Sequence, residues 1–92
     1  MNWFVYMIEA DDATLYTGIT TDLARRFKQH CETRQGAKYF GGRRPVAVVY
    51  REEGHDRSSA LRREAEIKKL SRQQKLELIA EANSKYAKED KK

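Results

Sequence analysis

From Trp3 to Ile8 the chain is continuously apolar and aromatic, the pattern of a strand covered on both faces, and Leu15 to Thr20 forms a second β-prone run. Asp11 and Asp12 between them predict a turn, so the two runs read as an antiparallel hairpin with Tyr6 and Tyr16 on adjacent strands. From Thr21 the period becomes helical. Leu23, Phe27 and His30 share a face, Thr20 or Thr21 can supply the N-cap, Asp22 suits the first turn, and the helix runs to about Glu32. Gly36, Gly41 and Gly42 mark a loop, and Pro45 opens a β-branched run, Val46 to Tyr50, that should join the hairpin as a third strand. A second helix is expected from Asp56 or Ser58 to Leu70. Ser71 and Gln74 have capping-box spacing for a third, packing through Leu76, Ile79 and Ala80. The tail after Tyr86 has little to bury and is expected to fray. The order strand, strand, helix, strand, helix, helix predicts an α+β fold, a three-stranded antiparallel or mixed sheet flanked by helices. One domain over residues 1–83 and a charged tail over 84–92 account for the chain.

At 92 residues a single core is all the chain can build. No long apolar run and no basic start followed by an apolar stretch is present, so neither a membrane span nor a secretory signal is expected, and the protein reads as cytoplasmic. The lone Cys31 beside His30 completes neither a disulfide nor a zinc site.

Charge changes this picture once it is located. Residues 21–44 hold seven Lys or Arg against Asp22 and Glu32, whereas the remainder balances twelve against twelve, so the whole net charge of +5 lies in one segment. Within it, Arg34, Lys38, Arg43 and Arg44 follow Glu32 with no acid before Pro45. A concentrated basic patch releases counterions from polyanions, which makes nucleic acid or another phosphate the first partner to consider. The plain alternative is a solvated surface.

Several residues stand out against the pattern. Glu64 has Ala60, Leu61 and Ile67 as helical neighbours, so it should point inward, which suits either a structural ion pair or a metal ligand. Arg26 and His30, four apart, share a helix face and can reach one site, the guanidinium gripping a phosphate and the imidazole donating a hydrogen bond or relaying a proton. His30 can equally be a satisfied, partly buried histidine. Arg25, turned about 100° away, reads as solvated or contacting a nucleic-acid backbone. The tyrosines have an ordinary reading too, as strand residues that pack their rings. Gly18 inside a strand signals a bulge or a close approach by another backbone or ligand. Trp3, Phe4 and Ile8 are assigned to the core.

Taken in order, Tyr6, Tyr16-Thr17-Gly18, Arg26, His30 and Glu64 resemble the GIY-YIG nuclease family over about residues 3–70, and most of all its small stand-alone bacterial proteins of UPF0213 type. Val5 and Met7 replace the glycine and isoleucine of the first family signature, and Thr17 the isoleucine of the second; these changes bear on strand packing more than on chemistry. The resemblance implies a metal-dependent phosphodiester hydrolase acting on DNA, in repair or recombination. In it Tyr16 would be the general base or would orient the attacking water, Tyr6 would position the nucleophile or phosphate, and Arg26 would hold a non-bridging oxygen. His30 would assist proton transfer or the phosphate contact, and Glu64 would be the sole protein carboxylate on Mg²⁺ or Mn²⁺, held weakly without substrate. Lys38, Arg43, Arg44, Arg25 and Lys68 would contact the nucleic acid. A non-catalytic nucleic-acid-binding module and a nuclease core that needs a protein partner are the competing expectations.

Overall fold

The computed structural model describes residues 2–32 and 44–90, with side chains described as far as Asn83. Strand β1 (Trp3–Ala10) turns through Asp11–Ala13 into β2 (Leu15–Thr20), helix α1 (Leu23–Glu32) follows, and β3 (Pro45–His55), α2 (Arg57–Lys68) and α3 (Arg72–Asp90) complete the order. The sheet has three strands in the order β2-β1-β3, and both pairings are antiparallel. This is the α+β arrangement that the hydrophobic pattern predicts.

β1 is the centre of the molecule because its residues are apolar on both faces. Val5, Tyr6, Met7 and Ile8 are each no more than 1% exposed. Val5 and Met7 pack with Ala60 of α2 and Ile67, joined by Leu78 and Ile79 of α3, while Tyr6, Ile8 and Ala10 pack with Leu23 and Phe27 of α1. One face of the sheet therefore carries α1 and the other carries α2 and α3. Trp3 and Phe4, expected in the core, are only half-buried, since they precede the stretch of β1 that has a helix on both sides.

Each helix turns inward a stripe at i, i+3, i+4 and i+7. In α1 it is Leu23, Arg26, Phe27 and His30; in α2, Ala60, Arg63, Glu64 and Ile67; in α3, Lys75, Leu78, Ile79 and Ala82. Two expectations change as a result. Leu61 is 45% exposed and does not flank Glu64, and Leu76 at 37% and the exposed Ala80 do not pack, because α3 docks through Leu78 and Ile79.

The caps explain the helix boundaries. Asp22 is the N-cap of α1 and not a first-turn residue, since its carboxylate accepts the Arg25 N–H at 3.1 Å while the Thr20 hydroxyl accepts the N–H of Asp22 itself. Asp56 caps α2 through the Ser59 N–H at 2.8 Å. Ser71 and Gln74 form the predicted reciprocal capping box, at 3.0 and 3.2 Å. Strand β3 runs past Tyr50 to His55, with register shifts against β1 and Gly54 at φ +78°, its N–H donating to Asn2 Oδ1. Arg72 Nη1 donates to the Ala13 carbonyl at 2.7 Å, tying the start of α3 to the hairpin turn.

Candidate functional site

Strand register decides which phenols meet. Tyr6 lies opposite Gly18 and Ile8 opposite Tyr16, so Tyr6 and Tyr16 occupy one face as a diagonal pair. Their ring centroids are 6.3 Å apart. The diagonal works because Gly18 has no side chain: a Cβ there would stand 2.6 Å from Tyr6 Oη and 2.8 Å from Tyr6 Cζ. The register runs unbroken through this position, so Gly18 marks neither a bulge nor a backbone approach but the place where a tyrosine ring crosses the neighbouring strand.

The inward stripe of α1 lies over the same face and supplies the next two groups. His30, 4% exposed, places Nε2 at 3.1 Å from Tyr6 Oη, and its ring is 5.1 Å from that of Tyr16 in edge-on geometry. Arg26 interacts with the Tyr6 phenol and, more weakly, with that of Tyr16. Its Nη1 also donates to Gln29 Oε1 at 3.4 Å, and its Nε is buried with no acceptor among the described residues. An open recess beside Arg26 is lined by Trp3, Ile19, Thr21, Arg25 and Gln29. A larger, mostly apolar hollow between Leu23, Phe27, Val48 and Tyr50 is lined by none of Tyr6, Tyr16, Arg26 and His30.

Electrostatics separates the roles these groups can take. Burial pushes the Tyr6 phenol up to about 12, partly opposed by the Arg26 hydrogen bond, and electrostatic interaction with Tyr16 and Glu64 adds to the rise. Tyr6 is therefore a protonated hydrogen-bonding group at neutral pH. Burial and then the Arg26 charge hold His30 below its ordinary value, so its ring is neutral at pH 7 and one nitrogen carries no proton.

Glu64 sits on the inward stripe of α2 with its side chain 20% exposed, close enough for its charge to act on Tyr6. Its ion-pair partner is Lys68, with Nζ 3.5 Å from Oε2. Lys68, 55% exposed, thus pairs with the candidate metal carboxylate and remains open to solvent. No group of three or more His, Cys, Asp or Glu that could hold a metal occurs among the described residues. A single hard oxygen donor fits a hydrated Mg²⁺ or Mn²⁺, which keeps most of its waters, better than it fits a closed structural metal. Arg25 is exposed at the rim of the recess, and Arg44 is exposed with its carbonyl accepting the Asp11 N–H at 2.8 Å. Lys38 and Arg43 lie outside the described residues.

A second polar cluster escaped the sequence reading. The Glu52 carboxylate accepts from Tyr50 Oη, from Arg63 Nε at 2.8 Å and from His55 Nε2 at 2.9 Å, and His55 Nδ1 lies 2.9 Å from Ser59 Oγ. Burial opposes ionisation of Glu52, yet the hydrogen bonds from Tyr50, Arg63 and His55 hold its carboxyl below the usual value. No periodicity could reveal the cluster, because its members come from a strand and a helix that meet only in the fold.

The chain is similar to known proteins over most of its length. Residues 2–77 match the model of the GIY-YIG catalytic domain. The chain is 52% identical over 77 residues to a UPF0213 protein of Desulfotalea psychrophila, covering 84% of this chain and 70% of that one. It is 47% identical over 76 residues to a UPF0213 protein of Syntrophus aciditrophicus, covering 83% and 87%. Among solved structures, the solution NMR structure of a UPF0213 protein from Bacillus halodurans superposes with a TM-score of 0.55 at 42% identity, covering 87% of this chain and 84% of that one. Among the described residues no helix is long and apolar enough to cross a membrane.

Proposed function

The chain belongs to the GIY-YIG family, and from that premise we propose that it is a metal-dependent endonuclease that hydrolyses phosphodiester bonds in nucleic acid, with DNA as the first substrate to test. The observation that supports this reading is the convergence of two phenols, a neutral imidazole and a guanidinium on one sheet face, within electrostatic reach of a carboxylate.

In this reading Arg26 grips a non-bridging phosphate oxygen and offsets the charge that develops on it as water adds to phosphorus. Tyr16 orients the attacking water, whose proton passes to solvent as the new P–O bond forms. Tyr6 keeps its own proton and, held by His30 Nε2, orients the attacking water through its oxygen. Glu64, released from Lys68, would hold a hydrated Mg²⁺ or Mn²⁺, and that ion would supply charge compensation and a more acidic water. The P–O bond to the leaving oxygen then breaks, and that oxygen takes a proton from solvent.

The test incubates plasmid, flap and branched DNA with purified protein in Mg²⁺ or Mn²⁺, alongside Glu64→Ala. Cleavage that needs the ion and disappears in the variant is expected. A protein that cuts none of these substrates, or a variant that cuts as well as the parent, would overturn the reading. Salt-sensitive DNA binding unaffected by Glu64→Ala and without cleavage would mark a binding module instead.

A further inference from the structure

Glu52 joins the two sides of the proposed site. In the sheet it lies opposite Val5, the residue before Tyr6, and through its carboxylate it holds Arg63, the residue before Glu64. Its side chain is 19% exposed and takes Arg63 Nε and Tyr50 Oη on Oε2 and His55 Nε2 on Oε1. His55 reaches in turn to Ser59 in the first turn of α2. Helix α2 is therefore fastened to β3 at Ser59 and at Arg63, four residues apart, and both fastenings end on one carboxylate.

These ties set what apolar packing leaves soft. Ala60 and Ile67, both at 0% exposure, fix how closely α2 approaches the sheet. Contacts of that kind are non-directional, whereas charge-assisted hydrogen bonds fix rotation about the helix axis. Rotation matters for Glu64 because its ion-pair partner, Lys68, is 55% exposed at 3.5 Å, a pairing that aims a carboxylate only loosely. No step of the proposed hydrolysis uses Tyr50, Glu52, His55 or Arg63.

We propose that Glu52 is a positioning residue: through Arg63, and through His55 and Ser59, it sets the direction of the Glu64 carboxylate and so the affinity of the site for a divalent cation. This rests on the metal-dependent reading of Glu64 given above. Partners of metal ligands commonly change affinity by about 10- to 100-fold when removed, and a site with one protein carboxylate has no second ligand to compensate.

The experiment titrates Mn²⁺ into ¹⁵N-labelled protein and follows paramagnetic broadening around Glu64, with cleavage measured in parallel. Glu52→Ala is expected to raise the half-saturating Mn²⁺ concentration about tenfold. It should lower kcat at limiting metal, recover part of that loss at high metal and leave KM for DNA unchanged. Glu52→Gln, which keeps one acceptor oxygen, should fall between. Should Glu52→Ala fail to fold, Arg63→Gln removes the same tie to α2 while leaving Glu52 to Tyr50 and His55, and the same shift is expected. Folded variants that titrate Mn²⁺ like the parent would overturn the proposal, as would a parent that shows no broadening at Glu64. A parent that binds Mn²⁺ at Glu64 without cutting DNA, with the shift present in the variants, supports the positioning role while the hydrolytic reading fails.

Discussion

The Tyr6 phenol oxygen lies 3.1 Å from His30 Nε2 in the buried layer between β1 and α1. Burial and the neighbouring Arg26 hold the His30 ring below its ordinary value of 6.5, so the folded protein binds fewer protons here than the unfolded chain. Stability contributed by this group is present above that value and is lost as pH falls through the lower folded one. Thermal melts followed by circular dichroism should show Tm falling between pH 7.5 and 5, and His30→Gln should remove part of that slope. An unchanged slope would show that protonation elsewhere controls the acid limb.

At the alkaline end the sign reverses. Burial leads the rise of both Tyr6 and Tyr50 to about 12 from the ordinary phenol value of 10.0, so the stability tied to their protonated forms persists below the unfolded value and is lost as pH approaches the folded one. Phenolate absorbance should show Tyr6 and Tyr50 titrating late, and Tyr6→Phe should remove one late-titrating group.

Gly18→Ala inserts a methyl at 2.6 Å from Tyr6 Oη, where the ring is packed and its oxygen held by His30. Overpacking of this kind costs about 1–3 kcal/mol. Combining it with Tyr6→Phe removes the nearest atom, so urea denaturation of the four proteins in the cycle should show the pair costing less than the sum. Strict additivity would show that the strand shifts instead of the ring.

Arg26→Lys keeps the charge but loses the planar fork. Cleavage by a folded variant should slow by roughly 10²-fold, with a much smaller change in DNA affinity. A variant within a few-fold of the parent would show that a point charge suffices.

The inward stripe of α2 predicts a contrast between two aliphatic residues. Ile67→Ala, at a position with 0% exposure, should cost about 2–5 kcal/mol, and Leu61→Ala, at 45% exposure, about 0.5 kcal/mol or less. Denaturant midpoints measure both.

What could be read from the sequence was whatever local periodicity encodes. The hairpin, the face shared by Leu23, Arg26, Phe27 and His30, and the Ser71–Gln74 capping box all depend on spacing within one segment, and the fold reproduces them. Glu64 was legible as an inward acid for the same reason. Its flank was not: Leu61, expected beside Glu64, is exposed, while Arg63 turns inward to Glu52 on β3, a partner 11 positions away. The extension of β3 through Glu52–His55 was hidden as well, since an edge strand with register shifts and few apolar residues shows no clean alternation. The value of Gly18 became visible only once the register set it opposite Tyr6.

The central position of β1 has a consequence for how the protein would wear out. A strand hydrogen-bonded along both edges, with a helix layer on each face, opens only when the whole domain opens. The Tyr6 end of the site therefore has no independent lifetime. Amide hydrogens of Val5 to Ile8 should exchange at the global unfolding rate, and heat inactivation should proceed as one first-order decay with no earlier phase in which the fold survives and this wall of the site is lost.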